Sequence, residues 1–491
     1  MQIGEILIAA GAVTADEVQD ALRRQRTAGG RLGENLIELG LITPAKLDSI
    51  LKEVPQSPRT IEETGIAEPE LLNLLLKTMY ARSLDTPSKL IDGLALPGRI
   101  VASLIADAEK RQLIESLGMA AGGTLPEVRY TLSQAGRRKA MEAMEANQYV
   151  GPAPVSLASY HARILRQRIT NERIGRDAVR AAFSDLTIAE DFLDRLGPAV
   201  VSGRALLLYG PAGNGKTSVA ERIGRMFQDI IYIPYCLEIE GQYVKIFDSD
   251  LHQAATPPKT ERIEVVRRQD VDRRWVACRR PVVITGGELS LEMLDMQWNP
   301  QARFYEAPLH VKAIGGTFII DDFGRQLLAP EHLLNRWIVP MQSRVDYLKL
   351  HTGKSFSVPF DELLIFSTNM APQDLMDPAF LRRIPYKLET TAPSLDIYRT
   401  IFQGVAESES LPFDEDVFRY IVQRLTVDEG QYLACYQPRF IVDQVVAACK
   451  YEGVPPTLSR ARVNVALDNL YVRQKAPAPG HHSPVSLARA V

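Results

Sequence analysis

"ALLLYGPAGNGKTSVAERIGRMF", residues 205–227, decides how this chain is read. Residues 205–209 are an apolar run of the length of a buried strand. Gly210, Pro211, Ala212, Gly213, Asn214 and Gly215 then break any regular element. From Lys216, Thr217 and Ser218 onward, apolar residues recur at helical spacing. The order strand, glycine-rich loop, helix is what binding a phosphate requires. Glycines let the backbone wind so that its N–H groups face the anion, and the helix presents its positive end to the same place. In such a loop the lysine reaches the terminal phosphates and the following hydroxyl is a magnesium ligand. Lys216 and Thr217 are therefore expected to serve ATP and Mg²⁺.

A second apolar run points to the same chemistry. "GGTFIIDDFGRQ" (315–326) is a hydrophobic strand ending in Asp321 and Asp322. A buried parallel strand delivers its last residue to the edge of the sheet where ligands bind. Asp321 is expected beside the metal, and Asp322 where an acid polarises the attacking water.

Bulk composition narrows the rest. The chain has 491 residues, a length suggesting about three domains. With 46% hydrophobic and 24% charged residues it can build a full core. A net charge of −3 gives no global pull toward nucleic acid or anionic lipid. The four cysteines are widely spaced, which argues against a disulfide framework or a zinc site. No stretch approaches the ~20 apolar residues of a membrane span, and the opening lacks a basic leader. The expectation is a cytoplasmic protein without direct membrane insertion.

From about residue 183 to 475 the motifs, in their order, resemble an AAA+ ATPase. "LLIFSTNM" (363–370) is similar to the strand that places a polar sensor, here Asn369, near the γ-phosphate and the lytic water. "DPAFLRRIPYKL" (377–388) is similar to the segment bearing arginine fingers, so Arg382 or Arg383 would reach a neighbouring subunit's nucleotide. "QPRFIVDQVVAA" (437–448) resembles the lid helix whose arginine, here Arg439, touches the nucleotide. "RVDYLKLHTGKSFSVPFDELLIFSTN" (344–369) reads as a hairpin before the sensor strand, the mark of the branch that includes the MoxR-like and RuvB-like groups. The resemblance implies an α/β P-loop core with a C-terminal helical lid, ATP hydrolysis, and assembly into a homo-oligomeric ring, expected to be a hexamer. Two departures stand out. Asp322 occupies the place of the family's usual Glu and is one methylene shorter, and residues 232–300 form a long insert.

Within the insert, "RRQDVDRRWVACRRP" (267–281) holds Arg267, Arg268, Arg273, Arg274, Arg279 and Arg280 around Trp275. It is either a contact surface for nucleic acid or a subunit, or a face whose charge is balanced by the interleaved Asp270 and Asp272. In "QYVKIFDSDLHQ" (242–253), Asp248, Asp250 and His252 are close enough in sequence for a metal site, though a lone histidine is more often structural.

The N-terminus says nearly the same thing twice. "QIGEILIAAGAVTADEVQDALRRQ" (2–25) and "RLGENLIELGLITPAKLDSILKEV" (31–54) align at an offset of 29, with Gly4/Gly33, Leu7/Leu36, Gly11/Gly40 and Thr14/Thr43 identical. Each half reads as a short helix, a glycine stop, a threonine N-cap and a second helix. The pair resembles the N-terminal domain of type II secretion and type IV pilus assembly ATPases, in one subgroup of which such motifs bind cyclic di-GMP. The polar match is partial: the second half keeps Arg31 and the first ends in Gln25, but each lacks the other's residue. Residues 57–150 run helices, an extended pair and a helix, an order resembling a winged helix. The expected organisation is a helical repeat domain (1–55), a winged-helix-like domain (57–150), a basic helical linker (156–182), the α/β nucleotide-binding domain (183–393), the helical lid (394–475) and a disordered tail (476–491). The expected function is an ATPase that remodels a protein client, with a pilus or secretion apparatus as the setting. The alternative is a motor or regulator gripping DNA through the winged helix.

Overall fold

The computed structural model describes residues 7–8, 12–28, 32–44, 46–47, 54–119, 127–171, 174–255, 271–327 and 329–471. Arg31, Arg267, Arg268, Asp270 and the tail from residue 476 lie outside the described residues. The chain forms two compact units. The first comprises Met1–Asp185, Glu190–Tyr209 and Lys216–Glu389, and the second Leu186–Ala189, Gly210–Gly215 and Thr390–Val491.

The first unit is built on a five-stranded parallel sheet. Its order is Tyr386–Glu389, Leu206–Tyr209, Leu363–Thr368, Thr317–Ile320, Val282–Thr285. Parallel neighbours need crossovers, supplied for example by the helices Lys216–Gly224 and Pro330–Ser343. Apolar side chains fill both faces of the central strands, as a covered parallel sheet requires: Leu206, Leu207, Leu208, Phe318, Ile319, Ile320, Ile365 and Phe366 are all fully buried. Trp337 of the crossover helix stands edge-on to Phe318, with ring centroids 5.7 Å apart, and locks helix to sheet.

The long insert contributes strands to a second sheet. Strands Gln297–Asn299, Phe304–Glu306, Gln242–Lys245 and Cys236–Ile239 join Val155–Ser156 in a second five-stranded, mixed sheet. N-terminal to it, helices Glu68–Arg82, Pro87–Leu94 and Gly98–Lys110 precede an antiparallel pair, Ile114–Met119 with Val128–Leu132, and helix Gln134–Ala146. In the sequence repeat, Thr14 caps helix Ala15–Ala28 reciprocally with Glu17, and the Thr43 hydroxyl accepts the Lys46 N–H. The basic cluster of the insert is mostly absorbed by structure. Buried Arg274 forms an ion pair with Asp272 and donates to the carbonyls of Thr64 and Pro154. Arg280 pairs with Asp229, and Arg273 with Asp92. His252 is likewise structural: its Nδ1 accepts the Asp248 N–H at 2.8 Å and its Nε2 lies 2.7 Å from the Lys312 carbonyl. Among the described residues, no group of three or more His, Cys, Asp or Glu could hold a metal ion, and no helix is long and apolar enough to cross a membrane.

The second unit is helical. Leu395–Ser408, Glu415–Gln423, Gln437–Glu452 and Arg460–Leu470 enclose Tyr398, Phe402, Ile441 and Val445. Ser394, Asp414 and Ser459 cap three of the four helices with side-chain hydrogen bonds.

Three elements of the first unit meet at one buried charge. Asp346 is the second residue of the hairpin Val345–Lys349/Ser355–Pro359. It accepts two hydrogen bonds from Arg336, at 2.7 and 2.8 Å, and lies 2.8 Å from His310 Nε2. Burial alone would raise the Asp346 carboxyl, but these hydrogen bonds and charges win and hold it down to about 2. A depressed acid stabilises the fold above its ordinary value near 3.8 and loses that contribution as pH falls toward 2. Asp346→Asn is expected to cost about 3 kcal/mol at neutral pH and to flatten the acid limb of stability below about pH 4. Urea denaturation across that pH range measures both.

Candidate active site

Sheet register brings together residues that are more than a hundred positions apart. Tyr209 pairs with Thr368, and Ile320 with Phe366, so the C-terminal ends of three adjacent strands open onto one edge. Asp321 continues the acidic strand, its N–H donating to the Thr285 carbonyl at 2.8 Å. Asn369 follows the middle strand, and Lys216 and Thr217 open the helix after the loop. The Thr217 hydroxyl donates to Asp321 Oδ2 at 2.6 Å, and Asn369 Nδ2 donates to Asp322 Oδ1 at 3.0 Å. Lys216 is almost fully buried. Burial pushes its ammonium below the usual lysine range, while the charges of Asp321 and Asp322 pull it back up.

The turn after the acidic strand is tightly specified. Asp322 has φ +46°, a left-handed conformation that is uncommon outside glycine and that Asp tolerates. Gly324, at φ +100°, follows. Gln326 holds this turn from within: its Oε1 accepts the Gly324 N–H at 2.9 Å, and its Nε2 donates to the Asp321 carbonyl at 3.2 Å and the Gly286 carbonyl at 3.3 Å. The Thr368 hydroxyl donates to the Phe323 carbonyl at 2.8 Å and the Phe323 N–H to the Ser367 carbonyl at 2.7 Å, tying the turn to the middle strand. Sequence reading missed Gln326. Its only signal is a polar residue two positions after a glycine that follows the acids.

The loop Gly210–Gly215 belongs to the second unit. Gly210 has φ +137°, and a Cβ there would lie 2.3 Å from the Thr390 carbonyl. Gly213 has φ +79°, and a Cβ would lie 2.2 Å from the Tyr436 ring. Only glycine satisfies both the dihedral and the approach. The loop's backbone is engaged: the Tyr436 N–H donates to the Gly213 carbonyl at 3.0 Å, and the Tyr432 hydroxyl stands 3.5 Å from the Ala212 carbonyl. The Asn214 side chain accepts the Cys435 N–H at 3.3 Å. Pro211 lies on the exposed side of the loop. None of the three residues at 432, 435 and 436 was singled out from sequence, because only folding sets them beside the loop. Arg439, the expected lid sensor, is held by Glu409 at 2.9 Å and Asp443 at 3.8 Å.

Arg382 and Arg383 lie at the other end of the sheet. They precede strand Tyr386–Glu389, whose first residue pairs with Leu206 at the start of the loop strand. Ser218, also within the phosphate-loop motif, contributes its carbonyl as acceptor for Arg222 at 3.2 Å, a bond within its own helix.

The donor set suits a divalent metal and a nucleotide. A hydroxyl and a carboxylate oxygen 2.6 Å apart are hard oxygen ligands of the kind magnesium takes, and the buried ammonium of Lys216 beside them suits phosphate.

Residues 394–469 match a family model described as "Domain of unknown function (DUF8689)". Comparison with curated proteins finds no match. Among solved structures, the chain is similar to the Thermotoga maritima RuvB Holliday junction branch migration motor, at 14% identity and TM-score 0.32, over 62% of this chain and 73% of that one. It is also similar to NtrX from Brucella abortus, at 12% identity and TM-score 0.35, over 77% of this chain and 64% of that one. Domain III of the Thermotoga maritima replication initiation protein DnaA matches at 12% identity and TM-score 0.33, over 61% of this chain and 98% of that one. The fold described above rests on the chain's own strand order and register.

Gly213→Ala combines a strained dihedral with a collision, and it is expected to cost about 1–3 kcal/mol of stability in the second unit. In the double variant with Tyr436→Ala the collision is removed and the dihedral strain remains, so part of the loss returns. Thermal unfolding of the single and double variants measures the two contributions.

Proposed function

We propose that this chain is an ATP-hydrolysing motor of the AAA+ type. The observation that carries the reading is the convergence of Lys216, Thr217, Asp321, Asp322 and Asn369 at the ends of adjacent parallel strands, with Thr217 bonded to Asp321 and Asn369 to Asp322.

The roles follow from the chemistry. Residues 210–217 wrap the phosphates with backbone N–H groups, and the Lys216 ammonium holds the β- and γ-phosphates. Thr217 and Asp321 would hold Mg²⁺, which supplies charge neutralisation of the phosphates when bound. Asp322 accepts the proton of the attacking water. Asn369 donates to Asp322 Oδ1, so that Oδ2 would serve as the acceptor for that proton. The left-handed backbone at Asp322 re-aims a carboxylate that is one methylene shorter than Glu.

Arg382 and Arg383 stand at the N-terminal end of the sheet. The middle strand is six residues long, roughly 16 Å at strand rise. An arginine there serves the nucleotide of a second copy better than its own, which supports a homo-oligomeric ring. Coupling to a protein client, the pilus or secretion setting, and cyclic di-GMP at the N-terminal repeat are further parts of this reading. The client follows from the AAA+ resemblance, and the setting and the cyclic dinucleotide from the sequence resemblance of residues 1–55. Binding of DNA by the winged-helix-like residues 57–150 has less support, because Arg129, which with Arg137, Arg138 and Lys139 makes the cation cluster near the antiparallel pair, is bound to Asp85 at 2.7 Å.

Lys216→Ala is expected to abolish ATP binding. Asp322→Asn and Asn369→Ala should retain binding and lower kcat by about 10²-fold or more. Fluorescent-nucleotide titration and phosphate release separate the two effects. Wild-type-like turnover in Asp322→Asn would overturn the assignment of the base. Arg382→Ala and Arg383→Ala should bind ATP normally yet lose hydrolysis, and wild type should gain specific activity with protein concentration.

A further inference from the structure

The second sheet also has a place where parallel strands end together. Strands Gln242–Lys245 and Phe304–Glu306 run parallel, and their last residues, Lys245 and Glu306, are paired in register. Ligand crevices of parallel sheets form outside such ends. A cavity of about 550 Å³ opens there, within the range of small-ligand sites. Its charged lining is Lys245, Asp248, Asp250, Glu306 and Lys312. Asp248 and Asp250 are the acids that stand out in the sequence beside His252, which itself is spent on the fold.

Four of these charges balance one another. Lys312 is buried at 8% exposure, and its Nζ donates to Asp248 Oδ2 at 2.9 Å and to Glu306 Oε2 at 3.3 Å. Lys245 Nζ donates to Glu306 Oε1 at 3.0 Å. Asp248 Oδ1 accepts the Asp250 N–H at 3.1 Å. Burial alone would raise the Asp248 carboxyl, but these hydrogen bonds and the Lys312 charge hold it below its usual range, so it is ionised at neutral pH. Asp250 is the charge left over. It is exposed, and among the described residues no hydrogen bond or ion pair engages its carboxylate. Two ammonium groups thus face three carboxylates, and the lining calls for one more positive charge. A metal ion does not fit, because the Lys312 ammonium already stands between Asp248 and Glu306. The remaining wall is apolar: Phe247, Met293 and Leu309 line the same cavity. The Phe247 ring is held in place by Tyr235 and His252, with centroids 5.3 and 5.5 Å away.

We propose that this cavity binds an organic monocation, an ammonium or guanidinium head on an aliphatic stem. The head takes Asp250 as its counter-charge, and the stem lies against Phe247, Met293 and Leu309. The excess negative charge selects the sign of the ligand, and the apolar wall selects a carbon stem over an inorganic cation. An aromatic wall also favours a cationic head. Two sources carry this chemistry, a free amine and the lysine or arginine side chain of a polypeptide. The inference goes beyond the ATPase reading and is independent of whether ATP is hydrolysed.

The test uses the full chain and saturation-transfer NMR at constant ionic strength. The free probes are n-butylammonium and n-butylguanidinium, the side-chain probes are N-acetyl-lysine amide and N-acetyl-arginine amide, and n-butyrate is the control. The expected result is saturable binding of the cations and none of butyrate. Asp250→Asn should weaken cation binding about threefold or more, and Asp250→Lys, which reverses the excess charge, should abolish it. Asp250 is exposed, so both variants are expected to fold, and circular dichroism checks this. Tighter binding of the free probes assigns the site to a small amine, and tighter binding of the blocked amino acids assigns it to a polypeptide side chain; both support the proposal. Three outcomes overturn it: no saturable binding of any cation, butyrate bound as well as the cations, or cation binding unchanged by both substitutions at Asp250.

Discussion

Everything in the candidate site depends on one constraint: parallel strands in fixed register present their C-terminal ends on the same side. Because Tyr209 lies opposite Thr368 and Ile320 opposite Phe366, the residues that follow these strands are neighbours. The hydrogen bonds from Thr217 to Asp321 and from Asn369 to Asp322 are consequences of that register. A slip of one residue would turn each strand's inward side chains to the other face and part the pairs. The register is secured by apolar packing on both faces, above all by Phe318, Phe366 and Trp337, whose rings interlock. Core packing and site geometry are therefore one property.

The same polarity explains why the arginines gather where they do. Asp321 and Asp322 follow a strand at one end of the sheet, while Arg204, Arg344, Arg382 and Arg383 occupy the end where strands begin. At the acidic end the charges of Asp321 and Asp322 act on the buried Lys216 ammonium. At the basic end burial, with Asp361 beside it, pushes the Glu362 carboxyl well above its usual range.

The insert shows how far local charge pattern misleads when its partners are distant. Read in sequence, residues 267–281 look like a basic surface. In the fold, Arg274 is buried against Asp272, Arg280 reaches Asp229, and Arg273 reaches Asp92. Arg274 also satisfies the carbonyls of Thr64 and Pro154, which fastens the insert to the N-terminal blocks. Interleaved Asp272 was a legible hint. Asp229 and Asp92 were not, because nothing local marks them as partners.

The sequence by itself determined the strand–loop–helix at residues 205–227, the acidic strand end at 321 and 322, the hairpin before Asn369, and the threonine caps of the N-terminal repeat. Each is a local pattern, in which periodicity, a glycine run or a capping residue acts within a few positions. Only the tertiary structure decided that Gln326 braces the acidic turn, that Tyr432, Cys435 and Tyr436 meet the loop, that Arg439 is held by Glu409, and that four arginines share a cavity with one buried acid. These contacts join residues from far apart in the chain or depend on burial. No short-range rule fixes them, since they follow from how the sheet register and helix packing place whole elements against one another.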